Sequence, residues 1–127
     1  MESQAYADFT PVLTKGKVDI IFTGHYHYYN RYKPFNNMTG DVDEACISAD
    51  GATYTSPKYI TYIVSGASGD KETDSPYVDD FPSYTGTQNY GYGLYTAVDA
   101  HTATWAFKTV QTDGGAADYS DKLTIKK

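Results

Sequence analysis

The run Val18-Asp19-Ile20-Ile21-Phe22-Thr23, which stops at Gly24, is the feature that most constrains this chain. A short and nearly continuous apolar stretch, rich in β-branched residues, reads as a strand buried on both faces of a sheet that other elements cover. The residues before it agree. Ala5, Phe9, Val12 and Leu13 recur at helical spacing and predict an amphipathic helix over residues 3–14. Pro11 lies inside that helix and kinks it or starts its final turn. Lys15-Gly16-Lys17 reads as the exit, with Gly past the helix end and cations near the negative pole.

Further along, residues 32–57 are polar and turn-rich, an excursion with room for a small hairpin. Tyr59–Val64 is a second strand of β-branched and aromatic residues, running into the Gly-punctuated turn Ser65-Gly66-Ala67-Ser68-Gly69. Residues 70–91 read as a loop, and a loop of that length usually serves function or contact. The last third alternates more cleanly. Leu94–Asp99, Thr104–Val110 and Tyr119–Ile125 read as three antiparallel strands, joined by turns at Ala100–Ala103 and Asp113-Gly114-Gly115. Trp105, Phe107 and Thr109 share one face opposite Lys108, and Leu123 and Ile125 share another. The expectation is a β-rich α+β fold: one N-terminal helix, then about five or six strands, mostly antiparallel in the C-terminal third.

Composition narrows the classes. A chain of 127 residues, 40% hydrophobic, is long enough to bury a core. Ten Lys and Arg against 16 Asp and Glu give a net charge of −6, which repels phosphate backbones and argues against nucleic acid as a partner. No stretch reaches the ~20 apolar residues of a membrane span. Fourteen tyrosines, with abundant Thr and Ser, suit a β-rich secreted protein. The first residues lack the basic and apolar regions of a signal peptide, so a secretory signal would lie outside this sequence. Cys46 is the single cysteine, either a free thiol or half of an interchain disulfide. Asn37-Met38-Thr39 is a glycosylation sequon set among turn formers, as in a glycoprotein.

The chemistry concentrates in Gly24-His25-Tyr26-His27. In an extended chain two histidines at i and i+2 project to one side, their Cα atoms roughly 6.5 Å apart. Their imidazoles can then converge on one metal, or on two held roughly 3.5–4 Å apart. Gly24 lets the backbone turn where the strand ends. The place fits as well, because sites in open α/β sheets form beyond the carboxyl ends of strands.

The segment from Val18 to Arg31 resembles the last metal-binding block of the purple acid phosphatases, members of the calcineurin-like metallophosphoesterase superfamily. That block is a Val-Asp, an apolar strand, then Gly-His-x-His-x-Tyr-Glu-Arg. Gly24, Tyr29 and Arg31 match its supporting positions, and Asn30 stands where Glu is usual. The resemblance continues through Tyr59–Glu72, with Asp70 in place of Asn, and through Tyr90–Lys127. It implies the C-terminal portion of a metallophosphoesterase α/β sandwich. It also implies a dinuclear centre of Fe with Zn, Mn or Fe that hydrolyses phosphomonoesters at acid pH. By resemblance His25 binds the divalent metal and His27 the ferric one. The family draws five of its seven ligands from blocks upstream of this one. Gly40-Asp41 and Gly69-Asp70, the only Gly-Asp pairs, match none of them, and His101 reads as a surface residue of a hairpin turn.

Residues 1–127 therefore read as a single partial domain with weak or no metal binding and no activity as an isolated chain. A bare apolar strand would recruit the missing N-terminal half or a second copy. The alternative is a non-catalytic Tyr-rich β module, used for binding or assembly. In it Tyr26, Tyr28, Tyr29 and Tyr32, with Tyr84, Tyr90, Tyr92 and Tyr95, line a surface rather than pack the sheet. Arg31 either reaches a phosphate or anchors its loop.

Overall fold

A computed structural model describes residues 3–69, 82–110 and 119–127. The helix, α1, spans Ser3–Lys15 with Pro11 inside it. Its exit is one residue later than expected. Val18 N donates to Leu13 O at 3.1 Å and Lys17 N to Thr14 O at 3.0 Å, and Lys17 has φ 54°. This is the paired closure of a Schellman motif, with Lys17 rather than Gly16 in the left-handed position. Gly16 stays on the helix and donates to Val12 O. Leu13 packs inward, but Phe9 and Val12 of the predicted apolar face stand 64% and 66% exposed.

Eight strands follow among the described residues, in two four-stranded sheets. They are β1 (Ile20–Thr23), β2 (Tyr29–Tyr32), β3 (Thr53–Thr55), β4 (Thr61–Ser65), β5 (Ser83–Thr87), β6 (Gly91–Ala97), β7 (Thr102–Thr109) and β8 (Tyr119–Lys126). The first sheet runs β1-β4-β2-β5, with β1 parallel to β4 and β2 antiparallel to both its neighbours. The second runs β3-β8-β7-β6, with β3 parallel to β8 and the remainder antiparallel. The β-rich α+β class and the antiparallel C-terminal third are as expected, and the strand count is higher.

The apolar run, expected to be buried on both faces, is instead the edge strand β1, with no fully buried residue and Phe22 43% exposed, yet its continuity has a structural reason. Alternate residues of the first sheet feed two different cores. Tyr29 and Ile63 face the second sheet, where they join Tyr54, Trp105, Phe107, Leu123 and Ile125, with Ile20 packed alongside. Tyr28, Tyr62 and Val64 face the other way, joining Tyr32, Phe35 and Ile60, with Ile21 and Leu13 against them. The layers are thus α1 with the residue 33–42 segment, then the first sheet, then the second. Burying each large apolar side chain contributes roughly 1.5–3 kcal/mol. Gly93 is required here, because a Cβ on it would lie 1.7 Å from the Trp105 ring.

Three strands were not expected, each for its own reason. β2 reads Tyr-Asn-Arg-Tyr, too polar for a central strand, yet all four residues are buried because partners elsewhere in the chain satisfy them. β5 was expected to be loop; its alternation is weak because it is an edge strand, and β3 is only three residues long. The expected turn at Asp113-Gly114-Gly115, Asp70, and most of the 70–91 loop lie outside the described residues.

Candidate metal-ligand turn

Residues 24–28 leave the carboxyl end of β1, pass over the end of β4 and enter β2. They are not extended. Tyr26 N donates to Gly24 O at 3.0 Å around His25, whose φ is 74°. Tyr28 N donates to Tyr26 O at 2.9 Å around His27. Two γ-turns in series therefore carry the two histidines, and the first is the rare, strained positive-φ form. Such backbone costs on the order of 1–3 kcal/mol and persists only where its surroundings impose it.

Those surroundings are specific. Gly66, just past β4, donates to Tyr28 O at 3.0 Å, and a Cβ on Gly66 would fall 1.9 Å from Tyr26 O. The turn rests on bare backbone that only glycine leaves free. Tyr26 stacks on Tyr28 at 5.7 Å, and the His25 ring meets Tyr26 edge-on at 5.3 Å. Gly24, which the sequence reading made the hinge, has no positive φ and no atom within 4 Å of its Cβ position. His25 is exposed and His27 half-buried.

Two imidazoles suit a transition metal, but no group of three or more His, Cys, Asp or Glu that could hold one occurs among the described residues. A catalytic zinc site takes three protein ligands. The turn therefore fits as a contributor of ligands and not as a complete site. His101 is exposed in the β6–β7 turn, its N–H donating to Asp99 at 2.7 Å.

Behind the turn lies a polar clamp. Arg31, 1% exposed, donates to Asp121 through Nε at 2.6 Å and through Nη2 at 2.7 Å. Its Nη1 donates to Tyr54 Oη at 2.5 Å, and the Tyr84 ring lies 4.2 Å from the guanidinium carbon. Tyr29 Oη donates to Asp121 Oδ2 at 2.5 Å and accepts from Trp105 Nε1 at 3.0 Å. Strand β2 of the first sheet is thereby pinned to β3, β7 and β8 of the second. Burial pushes the Tyr29 hydroxyl far above its usual range, helped by the Asp121 charge. Burial also raises Tyr54, to about 12. Burial opposes the Arg31 charge, but the hydrogen bonds it donates to Asp121 and the Asp121 charge outweigh that and hold the guanidinium protonated.

Of the two readings of Arg31, the anchor is the one its contacts show. Asn30, at the family's Glu position, is fully buried and accepts from Ser83 Oγ at 2.7 Å. Asp121, Tyr54 and Trp105 went unrecognised as its neighbours' partners. One signal was legible: the alternation that sends Leu123 and Ile125 inward sends Asp121 inward too.

Two other candidates sit deeper than their roles need. Cys46 is 8% exposed, its Sγ donating to Asp43 O at 3.1 Å; burial, with the nearby Asp43 charge, raises the thiol to about 11. A bond to another polypeptide requires the 3₁₀ turn Glu44–Cys46 to open. Asn37 accepts from Thr10 Oγ1 of α1 at 2.7 Å, and its Nδ2, the atom a glycan would occupy, is buried without a partner among the described residues. Of the tyrosines, Tyr28, Tyr29 and Tyr32 fill the cores, while Tyr92 and Tyr95 of β6 are exposed.

The resemblance to purple acid phosphatases seen in the sequence is supported by comparison with known proteins. The family described as iron/zinc purple acid phosphatase-like protein C matches residues 59–119. An acid phosphatase of Aspergillus ficuum is 28% identical over 125 residues, which is 94% of this chain and 20% of the relative. Purple acid phosphatase 1 of Ipomoea batatas is 29% identical over 130 residues, covering 98% of this chain and 26% of the relative. The solved structure of a purple acid phosphatase from yellow lupin (Lupinus luteus) seeds superposes with a TM-score of 0.73 at 22% identity, over 94% of this chain and 19% of that one. Together the family model, the curated relatives and the shared fold support reading this chain as the C-terminal portion of a purple acid phosphatase. It spans only a fifth to a quarter of the length of these relatives.

Proposed function

We propose that this chain supplies the C-terminal part of a secreted two-metal acid phosphatase acting on phosphomonoesters, with His25 and His27 as two of the ligands. The strained His turn at the carboxyl end of β1 and β4, held by Gly66 and by the clamp, carries this reading. His25 takes the divalent metal and His27 the iron, as in the family. Bound metals in such a centre activate water and neutralise charge on the phosphoryl oxygens. This chain's own part is to hold two imidazoles in place. Arg31, 1% exposed and bonded to Asp121, Tyr54 and Gly51 O, is spent on structure rather than on phosphate.

Alone, the chain binds metal weakly and turns over nothing. Edge strand β1, with Phe22 43% exposed, and the bare Phe9 and Val12 are covered by the rest of the domain or by a second copy. A second reading, a non-catalytic binding module, draws on the exposed Tyr92, Leu94 and Tyr95 of β6.

Zinc titration of the purified 127-residue chain, followed by NMR, tests the ligand role. Shifts centred on His25 and His27, lost in His25→Ala/His27→Ala, are expected. Shifts elsewhere, or none at millimolar zinc, overturn it. Metal-dependent p-nitrophenyl phosphate hydrolysis by this chain alone would refute its inactivity.

A further inference from the structure

At the opposite end of the same strands lies a cleft of about 700 Å³ that the phosphatase reading does not use. It opens between the last turns of α1, the Asn36–Met38 turn and the Pro57–Ile60 approach to β4. Strands of this length separate it from the His turn by roughly 15 Å. Four of the ten Lys and Arg residues of this acidic chain line it: Lys15, Lys17, Lys58 and Lys127. Asp19 is the one acidic residue in its lining, and Lys127 already holds it at 2.9 Å. The ammonium groups of the other three make no ion pair among the described residues, although the Lys58 backbone N–H donates to Asp43 Oδ2 at 2.9 Å.

A second observation points the same way. Tyr62 and Thr10 are hydrogen-bonded, and Thr10 Oγ1 donates to Asn37 Oδ1 at 2.7 Å. That relay ends on Asn37 Nδ2, a buried donor lacking an acceptor among the described residues. An oxygen lodged between α1 and the Asn36–Met38 turn would supply the acceptor it lacks. The negative pole of α1 offers little opposition, because Val12 O, Leu13 O and Thr14 O are all taken up by the closing turn. Its apolar lining comes from the buried Phe35 and Ile60 and the exposed Met38.

We propose that this cleft binds a small organic anion, its carboxylate or phosphoryl head among the lysines and Asn37 and its apolar body on Phe35 and Ile60. The site needs no metal and stands whether or not the phosphatase reading does.

Titration of the 127-residue chain with phenylphosphonate, which carries no ester to hydrolyse, tests it by NMR of backbone and Asn side-chain amides. Saturable shifts are expected at Asn37 Nδ2, Lys17 and Lys58, with a Kd on the order of 1 mM. Inorganic phosphate should bind more weakly, benzyl alcohol should leave Asn37 unmoved, and added salt should weaken the complex. Lys15→Glu/Lys58→Glu, on exposed positions, should lower affinity about tenfold or more. No saturation at about ten times that concentration, an unchanged affinity in the double variant, or shifts confined to His25 and His27 would each overturn the proposal.

Discussion

Substituting Gly66 by Ala tests whether bare backbone holds the His turn. The new Cβ would sit 1.9 Å from Tyr26 O and 2.9 Å from its carbonyl carbon. Both are main-chain atoms, so no side chain can swing aside, and relief requires a shift of over an ångström at the crossing from β1 to β2. Overpacking of this kind costs about 1–3 kcal/mol. Losing the Gly66 N to Tyr28 O hydrogen bond adds roughly 0.5–1.5 kcal/mol. A total of about 1.5–4.5 kcal/mol lowers Tm by roughly 5–18 °C in a domain of this size. Thermal melts followed by circular dichroism read the loss, and NMR shifts at Tyr26–Tyr28 locate it. Gly24→Ala is the control, since nothing lies within 4 Å of its Cβ position; it should be neutral or gain up to about 1 kcal/mol. A Gly66→Ala protein that melts with the parent and leaves the turn signals unmoved would show that the turn does not depend on this contact.

Three further outcomes follow from the geometry. Lys17→Gly should raise stability by about 0.5–1 kcal/mol in a denaturant melt, because Lys17 holds φ 54° at the Schellman position. Asp121→Asn, which leaves Arg31 buried beside a neutral partner, should cost about 3–5 kcal/mol, whereas Arg31→Met/Asp121→Leu should recover much of it; equal losses in both would contradict the clamp. Stability should fall as pH rises above 9. The Cys46 thiol goes from 9.0 unfolded to about 11 folded, so its contribution is complete below pH 9 and disappears through pH 11; Tyr54, also raised, adds to the fall. Cys46→Ser should flatten the lower part of that decline, and in the native chain the thiol should react with iodoacetamide only slowly near pH 8.

What local pattern determines was legible in the sequence. Residues 3–15, the apolar run into β1, the strand through Ile63 and the hairpin carrying Trp105 and Phe107 follow from periodicity and punctuation, because each depends on neighbours close in the chain. The His pair was legible for the same reason, as was its place at a strand end. Tertiary structure decided the rest. β2 is a central strand although its sequence is polar, because Asp121 and Tyr54, 90 and 23 residues from Arg31, satisfy the charge that burial would otherwise make costly. The conformation of the His turn was decided by Gly66, some forty residues on, whose missing side chain leaves room for Tyr26 O. Periodicity reports which face a residue presents; only the packed chain settles which distant group meets it there, and in this protein that meeting shapes the candidate site.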